Sequence, residues 1–159
     1  MHNKIPNIFI FTDKYNSEIF TRKNINIGVI YRNYNDGNRE SQLIKIAKAC
    51  KKSRYQLFVS NDLKLAYKFK ADGIYIPSFN KTKKFSNLEK KNIKIIGSAH
   101  TQKEIHKKIA QNCKAIFLSP LFYVKKSKRY LDIHKFNYLV RLNKTNILAL
   151  GGISENNIR

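Results

Sequence analysis

Seven short apolar runs recur along the chain, at residues 8–11, 27–31, 56–59, 73–76, 93–96, 115–118 and 147–150, and six of the seven are followed directly by a polar residue or a glycine. Most are separated by a segment with helical spacing. Short apolar runs alternating with helices are the pattern of repeated βα units, and near-uninterrupted Ile, Val and Phe marks strands buried on both faces of a parallel sheet. The residues just after the runs are chemically rich: Thr12-Asp13, Arg32, Asn61-Asp62, Ser98 and His100, Ser119-Pro120 and Gly151-Gly152. In a (β/α)8 barrel those positions form the active-site rim. The expected fold is therefore α/β, a (β/α)8 TIM barrel truncated after the seventh strand, because seven strands do not close that barrel.

With no linker or low-complexity stretch, residues 1–159 read as a single domain. That length is short of the roughly 200 residues at the lower end for complete barrels. The helices are expected at 39–53, 63–70, 101–111 and 133–142. In the first, Leu43, Ile44, Ile46, Ala47 and Cys50 make an apolar stripe, with Asn38 or Asp36 as its cap. Asp62 is a natural N-cap for the second, with Leu65, Ala66 and Phe69 inward. Thr101 and Glu104 form a capping box for the third, whose inner face is Ile105 and Ile109. Phe136, Leu139 and Val140 line the fourth. Two loops stand out: residues 33–38, and the basic stretch 122–130. For the latter, two readings stay open: a solvated charge run, or a loop that covers substrate.

The net charge of +22 suggests a polyanion partner, but lysine outnumbers arginine 25 to 7 and is spread over every helix. Lys, Ile and Asn, all encoded by A/T-rich codons, fill 64 of 159 positions, so base composition alone accounts for much of the charge. No nucleic-acid-binding motif is present, and binding to nucleic acid is expected only as a non-specific, salt-sensitive effect. A basic rim would also attract a phosphorylated substrate. No run is long enough to span a bilayer, and the N-terminus enters the first strand without a signal-peptide core. The expectation is a soluble cytoplasmic protein with no membrane partner; its oligomeric state is left open. Cys50 and Cys113 form no CxxC pattern and read as small buried residues.

The stretches at residues 94–105 (KIIGSAHTQKEI), 113–122 (CKAIFLSPLF) and 146–158 (NILALGGISENNI) resemble the last three βα units of thiamine phosphate synthase and its relative TenI. Residues 8–15 (IFIFTDKY) resemble the family's first strand, and 57–77 (LFVSNDLKLAYKFKADGIYIP) its third and fourth units. The resemblance implies a reaction that joins hydroxymethylpyrimidine diphosphate to thiazole phosphate, releasing pyrophosphate with Mg²⁺. A protein doing this must neutralise the leaving diphosphate and aim the thiazole nitrogen at the methylene carbon.

By the same resemblance, Arg32 and Ser98 are the candidate catalytic residues and bind diphosphate. A guanidinium suits a bidentate phosphate contact. Asn61 is a further substrate-binding candidate, with Ser127 and Lys128 in the loop after the sixth strand. Gly151 and Gly152 let backbone approach the thiazole phosphate, or simply make a tight turn. Asp62 and Asn80 are the candidate Mg²⁺ ligands. For Asp62 the helix-cap reading is equally open, and Asn80 stands where the family has an aspartate, supplying no charge. His100 belongs to the family's Ser-x-His-Thr stretch and either takes part or organises the loop.

Other family residues have drifted. The Gln-x-Arg-x-Lys pattern reads Ile30-Tyr31-Arg32-Asn33-Tyr34 here, and Pro-Thr-x-Thr-Lys reads Tyr123-Val124-Lys125-Lys126-Ser127. The histidine that serves TenI-type tautomerases just after the sixth strand has no counterpart between Ser119 and Tyr123. The leading reading is a thiamine phosphate synthase-like transferase of thiamine biosynthesis that acts on phosphorylated small molecules. The second is a TenI-like member that binds a phosphorylated ligand without this catalysis. A basic nucleic-acid-binding protein is the remote third. The chain is also expected to be a fragment, since residues 154–159 begin a helix they do not complete.

Overall fold

The computed structural model describes residues 4–22, 26–34, 37–85, 92–125, 127, 129–154 and 156–157, and within them all seven runs form strands. These are β1 (Ile8–Thr12), β2 (Ile27–Tyr31), β3 (Gln56–Ser60), β4 (Gly73–Ile76), β5 (Lys94–Ala99), β6 (Ala115–Leu118) and β7 (Asn146–Ala149). Helices α1 (Arg39–Ser53), α2 (Leu63–Lys68), α3 (Gln102–Ala110) and α4 (Asp132–Leu142) lie between them, with a 3-10 turn at Ser17–Phe20 that periodicity does not reveal. Strand order follows the sequence from β1 to β7, and the pairings β1–β2, β2–β3, β3–β4, β5–β6 and β6–β7 are all parallel. This is a TIM-barrel-like α/β fold carrying seven strands. The inner strands are buried on both faces, whereas β1 and β7, with one strand neighbour each, are half-exposed.

The chain divides into two compact units. One comprises Met1–Ile76 with Leu88–Ile95, the other Pro77–Asn87 with Ile96–Arg159. In the first, alternate residues of the strands face opposite ways. Ile27, Val29, Tyr31, Leu57 and Val59 pack against Leu43, Ile46 and Cys50 of α1 and Leu65 and Ala66 of α2. Gly28 and Gly73 make room on the other face: a Cβ at Gly28 would lie 2.4 Å from the Phe9 ring, and one at Gly73 2.4 Å from Phe58. Phe9 and Phe58 themselves meet edge to face at 5.4 Å. A polar cluster sits at the amino ends of these strands. The buried Gln56 donates to Lys4 O (2.9 Å) and Asn26 Oδ1 (3.0 Å) and accepts from Lys94 Nζ (2.7 Å). Desolvation lowers the Lys94 pKa, against the pull of Asp72.

In the second unit Ala99, Ile105, Ala115, Ile116, Leu118 and Leu139 are buried. Thr101 caps α3 by accepting from the Glu104 N–H (3.3 Å). The return bond of this box goes to the His100 N–H (2.7 Å) instead of the cap residue's own. Two expected inner-face residues are exposed, Ile44 on α1 and Ile109 on α3. On α3 the buried pair is Ile105 and Lys108, three residues apart. The helix is turned because backbone carbonyls, described below, satisfy the lysine where Ile109 was expected. The second helix ends at Lys68, before the expected residue 70, as Lys70 takes a left-handed φ of 49°. Asn38 holds the cap position of α1 without a side-chain cap bond; Asp36, the other expected cap, lies outside the described residues.

Candidate functional site

In the first unit the carboxyl ends of β1, β2 and β3 carry a cluster of cations and hydroxyls. The Arg32 N–H donates to Thr12 O (2.8 Å), which places the residue at the strand end, and its guanidinium lies 5.6 Å from the centre of the Phe11 ring. Asn33 Nδ2 donates to Asp13 O (3.1 Å). Thr12, Asp13, Lys14, Asn16 and Arg32 line a concavity of about 420 Å³ floored by Phe11 and Ile19. One residue further, the Tyr34 hydroxyl meets Ser60 Oγ at 2.6 Å, tying the β2 loop to the end of β3. Tyr34 occupies the place where the resemblance expects a lysine.

Asn61 takes a left-handed φ of 55°, and its N–H donates to Tyr75 O (2.9 Å). That bend delivers Asp62 to the start of α2, where both its oxygens are engaged. Oδ1 accepts from the Leu65 N–H (3.0 Å), the helix cap, and Oδ2 faces Arg39 Nη1 at 3.3 Å. The side chains of this pair are about a quarter exposed, 21% and 28%, so the bond is partly screened by water. Nε and Nη2 of Arg39 are buried with no hydrogen-bond partner among the described residues. These two nitrogens carry three N–H groups closed to solvent, a donor capacity that would reach an anion only if the surroundings opened. Sequence reasoning missed Arg39; its partner is 23 residues away, and no local spacing links the two.

The second unit holds the other candidates. Ser98 is buried in β5, 5% exposed. His100 follows: Nδ1 lies 2.7 Å from Ser119 O, and Nε2 lies 3.1 Å from Ser78 Oγ. Because a carbonyl only accepts, Nδ1 carries a proton, and Nε2 is the nitrogen that pairs with the Ser78 hydroxyl. Thus an imidazole does reach Ser119 after β6, from the neighbouring strand end and not from the β6 loop itself. Gly151 and Gly152 adopt φ of 92° and 71°, and a Cβ on Gly152 would lie 2.7 Å from Tyr123 O. Their turn therefore demands glycine whatever else it does. Ser127 Oγ donates to Arg129 O (2.7 Å); Lys128 lies outside the described residues.

The expected Mg²⁺ ligands do not fit a prepared metal site. Asp62 spends its oxygens on a helix N–H and a cation. Asn80 accepts the Thr82 N–H on Oδ1 (2.9 Å). A hard dication needs about six oxygens with charge among them, and no group of three or more His, Cys, Asp or Glu is suited to a metal among the described residues.

Seven parallel βα strands with functional groups gathered at their carboxyl ends define a protein of the (β/α)-barrel class. The family described as thiamine monophosphate synthase matches residues 19–159. A thiamine-phosphate synthase from Prochlorococcus marinus subsp. pastoris is 30% identical over 161 residues, covering 96% of this chain and 46% of the relative. The chain thus spans about half the length of that curated relative. Among solved structures, a thiamine phosphate pyrophosphorylase from Pyrococcus furiosus superposes with a TM-score of 0.75 at 18% identity, over 98% of this chain and 79% of that one. A designed cube-shaped protein cage, built by fusing symmetric oligomeric domains, gives 0.64 at 12% identity, over 98% and 58%. At such identities these two likenesses speak to fold alone. The family match over most of the chain settles the assignment: the protein belongs to the thiamine monophosphate synthase family.

Proposed function

We propose that the protein binds the phosphorylated precursors of thiamine at its strand ends and condenses them, hydroxymethylpyrimidine diphosphate with thiazole phosphate, to thiamine phosphate and pyrophosphate. The observation that carries this reading is the pair of guanidinium groups, Arg32 after β2 and Arg39 beside Asp62, in a chain of this family. As the C–O bond to diphosphate breaks, negative charge grows on the leaving group. Fixed cations and hydroxyl donors at that spot lower the barrier without reorganising. Arg32 is the primary contact in this reading, Arg39 adds its unmet donors, and Asp62 orients Arg39. In the second unit, Ser98 and the Gly151-Gly152 turn are the residues that resemblance to the family assigns to diphosphate and to the thiazole phosphate. Among the described residues no helix is long and apolar enough to cross a membrane.

The test is pyrophosphate release from the two precursors, with and without Mg²⁺. Arg32→Ala is expected to abolish turnover and Arg39→Ala to reduce it strongly. A second reading, a TenI-like protein that binds the phosphorylated ligand without condensing it, is favoured by the engaged oxygens of Asp62 and by Tyr34 bonded to Ser60. Tight pyrophosphate binding without turnover would select it, and absence of both binding and turnover would refute both.

A further inference from the structure

In the second unit Lys108 is 1% exposed, yet among the described residues no carboxylate bonds to it. Its Nζ donates to Pro77 O (2.7 Å), Asn80 O (2.8 Å) and Gln111 Oε1 (2.9 Å), three hydrogens on three oxygens. Gln111, 2% exposed, donates in turn to Asn80 O (3.1 Å) and Thr82 O (2.7 Å). Two side chains from α3 and its end thus grip the loop after β4 by the carbonyls of residues 77, 80 and 82. Between the first two anchors stands Ser78, whose hydroxyl reaches His100 Nε2.

Burying an ammonium among neutral acceptors is expensive, and an apolar side chain would pack the same space at less cost. What an apolar residue cannot do is draw three oxygens to one point. We propose that Lys108 is a positioning residue: its ammonium acts as a tethered cation that fixes the Pro77–Thr82 loop and, through Ser78, holds the Nε2 side of the His100 ring. The proposal rests on the reading above in one respect, that these strand-end loops face the phosphorylated ligand.

The test reads His100 and the ligand separately. Imidazole ¹⁵N signals report the tautomer, and calorimetry with inorganic pyrophosphate reports the site. Lys108→Met, unbranched and of similar length, is expected to fold, to shift the His100 Nε2 signal as its hydrogen bond to Ser78 is lost, and to weaken pyrophosphate binding about tenfold or more, the scale of a small misplacement. In Lys108→Ala, ethylammonium should restore the His100 signals, while tetramethylammonium, which has no N–H, should not. An unchanged His100 Nε2 signal in a folded Lys108→Met protein would overturn the proposal, and so would equal rescue by the two amines. Should the wild type bind no pyrophosphate, the functional reading falls while the His100 spectra still decide the role of Lys108. The wild type alone supplies a further check: its Lys108 ammonium protons must exchange slowly with water, and rapid exchange refutes the arrangement.

Discussion

Arg39 and Asp62 illustrate how one side chain's job is set by its neighbour. Asp62 reads equally well in sequence as a helix cap and as a metal ligand, and the fold gives it the cap together with an arginine. Charge-assisted hydrogen bonds to a phosphate contribute about 1.5–3 kcal/mol, so Arg32→Ala is expected to weaken pyrophosphate binding by roughly ten- to hundredfold, measured by calorimetry. The two cysteines make a different prediction. Burial pushes both thiols up to about 12, Cys50 with a further push from Asp72 and Cys113 against the pull of Lys108. The thiolate is the nucleophile, so at pH 8 a disulfide reagent should label either only as fast as the protein opens. Rapid labelling of the native protein would contradict this.

Lys108 also titrates, and the sign follows from burial. Desolvation lowers its pKa to about 8, opposed by Cys113 and Glu104, whereas the unfolded chain keeps the ordinary 10.5. Between about 8 and 10.5 the unfolded state holds more protons, so this contribution rises with pH; it is complete above 10.5 and is lost as pH falls through 8. Urea midpoints of the wild type relative to Lys108→Met are therefore expected to climb over that window.

At the level of elements, the strands and caps were open to reading, and the reasons are local. A β-run buried on both faces must be mostly apolar, and Asp62 and Thr101 bond to N–H groups three residues ahead. What hid were arrangements made by distant segments. A lysine on a helix is read as solvated, so Lys108 took no part in the expected stripe and Ile109 was given its place. Arg39 showed only as the opening of a helix, and the Ser78–His100–Ser119 chain joins three separate strand ends. Of the candidate site, the residue types were legible and their partners were not. The caps give a modest test: Thr101→Ala should cost about 1 kcal/mol in chemical denaturation. Gly73→Ala should cost more, about 1–3 kcal/mol or above, since its methyl would meet both the Phe58 ring and Lys94 O, the latter at 2.6 Å. A Gly73→Ala protein as stable as the wild type would mean that β4 packs otherwise.

For the whole molecule, the charge of +22 is spread widely. Binding to DNA is expected to be independent of sequence and to vanish at moderate salt, as a gel-shift series in rising NaCl would record. The division into units has a consequence for synthesis. The first unit is discontinuous, since Leu88–Ile95 belongs with Met1–Ile76, and Lys94 closes the cluster that Gln56 makes with Lys4. A chain emerging from the ribosome cannot finish this unit when residue 76 appears. It must wait until residue 95, by which time the Pro77–Asn87 stretch of the other unit is already outside. Nascent chains halted at 76 should accordingly stay sensitive to protease, and those extended to 95 should begin to resist it. The late-made segment works as a clasp, and the order in which residues leave the ribosome decides when it shuts.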